Sequence, residues 1–391
     1  MNEFGEAFDQ THRERVLRYL AMRNLQLFDP FDGGANPDDV FFAPSLELFR
    51  MQASVFAGAA RPNGERFVVY PMFVEDARAN AFACELDGVH LCAINAGMAT
   101  IAYELAAFTF SRKDTFLDIG DAGGENAPPL PAGSLLGYWI WDQIAANLQP
   151  ETPAGVELLP KNRRRGGLAW CLSHLLLRFT WFHEMFHGLN GHCGLLRSFG
   201  STPELHEMPG TAEVSLVRRV EGKTGDTGAS RLFHAFEMDA DQSALWAMIH
   251  LQRSNAEALM PLDNEPLSIR LRLVIVASVL MAYLFEQVAK RDHTHLSETH
   301  PRAGMRLHRL VGSLFSDSGQ AVPEVQSLIP VVLEDIRSLE RNFPGMITAD
   351  QLADELSGQF VPDELAAVEN EIDRMRGLAA AFAYRPGESG L

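Results

Sequence analysis

Residues 183–187 read His-Glu-Met-Phe-His inside an apolar stretch running from Leu172 to His192, and nothing else in the chain constrains its fold as tightly. Two histidines at this spacing serve one metal ion only if the backbone is helical, because positions i and i+4 share a helix face. Glu184 then sits one residue along, within reach of a water on that ion. Two imidazoles do not complete a site, so a second element must bring a further ligand.

The segment Phe233 to Met248 supplies the candidate. Glu237 and Asp241 lie four residues apart in the pattern E-x-x-A-D-x-x-A. A carboxylate from a second helix completes a His2Glu set and leaves a fourth position open for water, as in catalytic zinc sites. Asp241, one turn on, is placed to accept a hydrogen bond from the far nitrogen of a ligating histidine, here His183. Ala235, Phe236, Ala240 and Ala244 make this helix apolar and narrow, as two helices must be if they approach to ligating distance. His192 lies nine residues after His183, one short of the three-histidine spacing HExxHxxGxxH, and Asn190 stands where that pattern has Gly. His192 is therefore read as a loop residue near the rim, and His234 as packing or support. Glu184 and His187 also form a Glu-x-x-His pair, but a di-iron bundle needs a second such pair, which the sequence lacks.

The 391 residues allow one large domain or two smaller ones, and 47% hydrophobic against 21% charged residues is a globular balance. A net charge of −18 disfavours nucleic acid and anionic membranes as partners. The one dense basic run, Arg163-Arg164-Arg165, reads as a solvated approach to the next helix. Four cysteines (Cys84, Cys92, Cys171, Cys193) make no disulfide framework. If Asp87-Gly88 closes a two-residue hairpin, Cys84 faces Leu91 and Cys92 faces Ala83, out of register for a bridge. A reducing, cytoplasmic setting is the simplest expectation. The N-terminus lacks the apolar core of a signal peptide. The most apolar run, Leu273 to Phe285, falls short of the roughly 20 residues of a transmembrane helix, so a buried core helix and no membrane span are expected.

Residues 1–30 read as helical, 30–45 as loop, and a helix follows Pro44. Short runs rich in Val, Phe and Ile from Glu65 to Gly97 read as strands and a hairpin, followed by a helix from Met98 to Phe108. Loops over 117–135 and 148–166 flank a short helix. The His183 helix should start near Leu168 and stop at Asn190-Gly191. Residues 194–230 read as a loop excursion over the site, and helices should span Ser230–Arg253 and Leu267–Lys290. The remainder reads as amphipathic helix with a frayed tail. Segments of 1–60, 61–315 and 316–391 are expected: an N-terminal helical piece, a catalytic domain and a helical extension.

With these motifs in order the chain resembles the gluzincin metallopeptidases, in particular the HtpX-like and CAAX-prenyl-type endopeptidases. The resemblance rests on Asn80-Ala81-Phe82-Ala83 with Ile94-Asn95-Ala96-Gly97, on His183 to His187, on Glu237 with Ala240-Asp241, and on Thr299-His300-Pro301 followed by Arg306. It implies an α+β, mainly helical zincin-like fold, with a small sheet or hairpin over the active-site helix and a helical C-terminal region. It implies that residues Asn80, Ala81, Phe82 and Ala83 form an edge strand that pairs with the substrate backbone. It further implies that His300 donates to the developing oxyanion, with Arg306 at the substrate side orienting its loop.

The resulting expectation is a soluble zinc endopeptidase with one Zn2+ per chain, held by His183, His187 and Glu237. Glu184 would be the general base and a protein or peptide the substrate. The alternative is a silent or latent peptidase fold acting as a regulatory scaffold.

Overall fold

The computed structural model describes residues 4–28, 30, 39–76, 78–127, 159–199, 205–206, 229–254, 262, 264–291, 301, 303–315, 323–343, 346, 348–356 and 363–385. Strands β1 (Leu27–Phe28), β2 (Val69–Val74), β3 (Ala81–Leu86), β4 (Val89–Asn95) and β5 (Leu205–His206) form one mixed sheet in the order β1-β2-β4-β3-β5. The β3–β4 hairpin closes on Asp87 and Gly88, both at positive φ (48° and 83°), the combination that a tight primed turn requires. Its register sets Cys84 opposite Leu91 and Ala83 opposite Cys92, and all four cysteines are free and buried. Strand β2 runs parallel to β4, whereas β1 and β5 add antiparallel to β2 and β3.

The central strands are almost continuously apolar because both faces of the sheet are covered. On one face Val16, Tyr19 and Leu20 of α1 (Phe4–Met22) pack on Tyr70, Met72, Phe82 and Leu91. On the other, Phe73, Ala81, Cys92 and Ile94 join the main core with α2 (Asp39–Val55), α3 (Ala96–Ser111) and α4 (Arg163–Leu189). The architecture is therefore α+β and mostly helical.

Helix α4 is the axis of the molecule, lying against the sheet, α3 and the later helices. It starts at Arg163, a full turn before the expected Leu168, because the Asn162 side chain caps the amides of Arg164 and Arg165. The basic run is not simply a solvated approach. Arg165 is fully buried and donates to the carbonyls of Phe110, Arg112, Thr115, Phe116 and Ile119, locking the turn after α3.

After α4 come α5 (His192–Ser198), α6 (Ala229–Arg253), α7 (Leu267–Arg291) and α8 (Ala303–Phe315). They are followed by α9 (Pro323–Gln326), α10 (Ile329–Glu340), α11 (Ala349–Leu356) and α12 (Asp363–Ala379). Part of the expected 194–230 loop is thus helix α5 and strand β5; the rest of it, like the short helix expected near 137–148 and most of the tail, lies outside the described residues. In α7 the apolar segment is longer than the sequence run suggested. Leu267–Gln287 covers 21 residues at a mean hydropathy of 1.9, long and apolar enough to cross a membrane, yet 83% of its most apolar window is buried inside the protein.

The segments around Ala60 and Arg385 meet near the end of α4. Ala60 and Arg385 exchange backbone hydrogen bonds, and the Tyr384 amide donates to the Leu189 carbonyl at the end of α4. Val368, Ile372, Met375 and Ala379 of α12 pack into a core with Leu195 and Leu196 of α5 and Phe233 and Phe236 of α6.

Candidate metal centre

The helical spacing does what it requires: His183 and His187 emerge from one face of α4, four residues apart. Helix α6 packs beside them through Ala235, Ala240 and Ala244, all fully buried, and their small side chains let the two backbones approach. Glu237 is thereby brought between the imidazoles. The Nε2 atoms of His183 and His187 are 3.0 Å apart. Glu237 Oε2 lies 3.3 Å from His183 Nε2, and Glu237 Oε1 lies 3.5 Å from His187 Nε2. This trio, at 1–2% exposure, is a donor set able to hold a metal ion.

The hydrogen bonds behind the two histidines fix their tautomers. His183 Nδ1 lies 2.9 Å from Asp241 Oδ1, and a carboxylate can only accept, so the proton is on Nδ1 and the neutral ring turns the Nε2 lone pair toward Glu237. Asp241 is itself gripped by Arg306 of α8, whose Nε and Nη2 donate to its two oxygens at 2.7 Å. Burial would raise the Asp241 carboxyl, but Arg306 and the His183 hydrogen bond hold it below the usual carboxylate range. The guanidinium also lies over the Phe285 ring.

The second histidine is held through an intermediary. His187 Nδ1 meets His192 Nδ1 at 3.0 Å, and His192 Nε2 meets Asp239 Oδ2 at 3.1 Å. The Asp239 carboxylate commits the proton of a neutral His192 to Nε2, leaving Nδ1 as the acceptor for His187 Nδ1–H. His187 Nε2 is then also a lone pair. Asp239 also accepts from the Asn190 amide at 2.7 Å and from Arg376 Nε of α12 at 2.7 Å. Burial pushes the Asp239 carboxyl up, but His192 and Arg376 outweigh it and the group lies below its ordinary range.

His192 is therefore not a rim residue. It is completely buried, and Gly191 at φ 83° turns the chain so that the start of α5 returns its imidazole to His187. Space there is tight: a Cβ on Gly191 would meet the Ala383 nitrogen at 2.6 Å. Sequence spacing found His183, His187, Glu237 and Asp241 but missed Asp239, Asn190 and Arg376. Asp239 is two residues from Glu237, which on a helix points it away from the ion. The only available signal was a histidine and an aspartate both set in apolar surroundings. His234 is buried on α6 outside the ligand trio.

Glu184 faces the hairpin side. Burial raises the thiols of Cys84, Cys92 and Cys193, and the Glu184 carboxylate near them raises them further, so they stay protonated and chemically quiet. Ala81, Phe82 and Ala83 occupy β3 as expected, and the Asn80 side chain accepts from the Ala81 amide. The outer edge of β3, however, is not open at Phe82 and Ala83: β5 pairs with it, His206 opposite Phe82 and Leu205 opposite Ala83. Arg306, expected at the substrate side, is 3% exposed and grips Asp241 behind the ligands. Thr299 and His300 lie outside the described residues. Comparisons of the chain with family models, with curated proteins and with solved structures gave no match.

Proposed function

We propose that this chain is a zinc-dependent metalloendopeptidase of the gluzincin kind, with His183, His187 and Glu237 as ligands and Glu184 as general base. One observation carries the reading: the Nε2 atoms of two imidazoles, each with its Nδ1 hydrogen-bonded to a buried side chain, converge with a carboxylate within 3.0–3.5 Å. Two imidazole nitrogens and a carboxylate gathered in a buried site are a donor set that a cation can join. Their separations match the edge of a tetrahedron about 3.3 Å on a side, which follows from zinc–ligand bonds of about 2.0–2.1 Å. A bound zinc ion lowers the pKa of water and polarises a carbonyl. Glu184, next to His183 in the motif, would take the proton of the attacking water and return it to the departing amine. Fixed ligand orientation, exclusion of bulk water and proton transfer are the tasks of this chain's residues.

The test is a Glu184→Gln protein. It should retain one zinc per chain by metal analysis while cleavage of a casein-like substrate falls by about 10²–10⁴-fold. Cleavage by the variant at the wild-type rate would refute the assignment.

A second reading, a latent form of the same enzyme, is favoured by β5. Peptidases that bind substrate by strand addition need an open strand edge, and here the chain's own Leu205–His206 pairs with β3 where substrate would lie.

A further inference from the structure

We infer that His192, Asp239 and Arg376 form a positioning relay for the ligand His187, and that the relay makes the C-terminal helix α12 a working part of the metal centre. The inference rests on the metal-site reading above and adds residues that the motif does not contain.

Each ligating imidazole leads outward to an aspartate–arginine pair. For His183 the path is direct: Asp241, then Arg306 of α8. For His187 the path has one more link: His192, then Asp239, then Arg376 of α12. A histidine ligand commonly donates its other N–H to a carboxylate or carbonyl, which fixes the tautomer and strengthens the ligand. A neutral imidazole can replace that acceptor only if its own proton is held on the far nitrogen. Asp239 does this for His192, and the Asn190 amide and Arg376 keep the Asp239 carboxylate turned toward it.

The arrangement also explains why His192 is not a third histidine ligand. Both of its ring nitrogens are engaged, one by His187 and one by Asp239. Its ring lies against Phe236, with centroids 4.7 Å apart, so an aromatic substitute can keep the packing while losing both hydrogen bonds. The far end is anchored by distant sequence. Arg376 sits 137 residues after Asp239, and Tyr384 ties the following turn to Leu189 on α4. Docking of α12 and orientation of His187 are thus two ends of one hydrogen-bonded chain, and ion binding at one end should tighten the other.

The experiment measures Zn2+ affinity of the full-length protein by competition with a chromophoric chelator, alongside the absorption spectrum of the Co2+ form. His192→Phe should bind zinc about 10–100-fold more weakly and shift the Co2+ spectrum. His192→Gln, whose amide can accept from His187 and donate to Asp239, should recover most of the affinity. Arg376→Gln, altering a half-exposed side chain and so expected to fold, should lower affinity by a smaller factor. Wild-type affinity and spectrum in His192→Phe would overturn the relay and leave the metal site standing. Wild-type affinity in Arg376→Gln would remove α12 from it. If the wild type itself takes up no zinc, the metal-site reading fails first and the relay with it.

Discussion

Replacing Asp241 by Asn exchanges one carboxylate oxygen for an amide NH2 and should produce two separable losses. Asp241 accepts from His183 Nδ1 at 2.9 Å and from Arg306 Nε and Nη2 at 2.7 Å, and is 1% exposed. Its carboxyl lies below the ordinary range, so the charge is present at any working pH. Asparagine keeps the shape but has one oxygen. Arg306 has only donors, so that oxygen must turn toward it and the amide NH2 faces His183. His183 then shifts its proton to Nε2 and loses the lone pair aimed at the ion. Zinc affinity should fall by about 10–100-fold.

Independently, Arg306 loses a full counter-charge in a buried site, a change that costs about 3–5 kcal/mol. At an unfolding entropy near 2.1 cal/mol/K per residue, a chain of 391 residues loses about 5 °C in Tm for 4 kcal/mol. Chelator competition reads the first loss, and calorimetry of the metal-free protein reads the second. An Asn variant with wild-type affinity and a Tm within a degree of wild type would refute both the tautomer argument and the charge argument.

Two further predictions follow from other parts of the fold. His90, buried beside Arg61 and Glu85 and 3.1 Å from the Tyr384 hydroxyl, is pushed down by burial from 6.5 to about 4. Unfolding restores the higher value, so its contribution is complete above pH 6.5 and is lost as pH falls toward 4, about 3 kcal/mol in all. Urea midpoints should drop over that window in the wild type and drop less in His90→Gln; parallel declines would remove His90 as the cause. Asp239 and Asp241 lie below the ordinary carboxylate range, so their contributions are lost only at lower pH. Leu205, 2% exposed, anchors β5 in the core beside Ala83. Leu205→Ala should weaken that anchor by roughly 2–3 kcal/mol. If β5 restrains the enzyme, cleavage of a short peptide should rise by at least about 30-fold; an unchanged rate with a folded protein would end the latency reading.

The local pattern carried much of the site. A spacing of four on two helices picked out His183, His187, Glu237 and Asp241, because helical periodicity alone decides which side chains share a face. The Asp87-Gly88 turn fixed the hairpin register in the same way, and with it the separation of Cys84 from Cys92. What the pattern misassigned were residues whose role depends on a partner far along the chain. Arg165 looked like a solvated charge until five carbonyls from residues 110–119 were found around it.

His192 shows the same division. By itself the sequence determined that a two-histidine helix and an acidic helix could share an ion, since both statements concern neighbours within one helical turn. Only the tertiary structure decided that His192 supports His187, that Arg306 braces Asp241, that α12 reaches Asp239 and that β5 covers the edge of β3. The first depends on Asp239, 47 residues beyond His192, and the others join segments dozens to more than a hundred residues apart. Such contacts form because α4, α6, α8 and α12 bury their apolar faces together. That burial is non-directional and proportional to area, so no local spacing records which polar groups it brings to hydrogen-bonding distance.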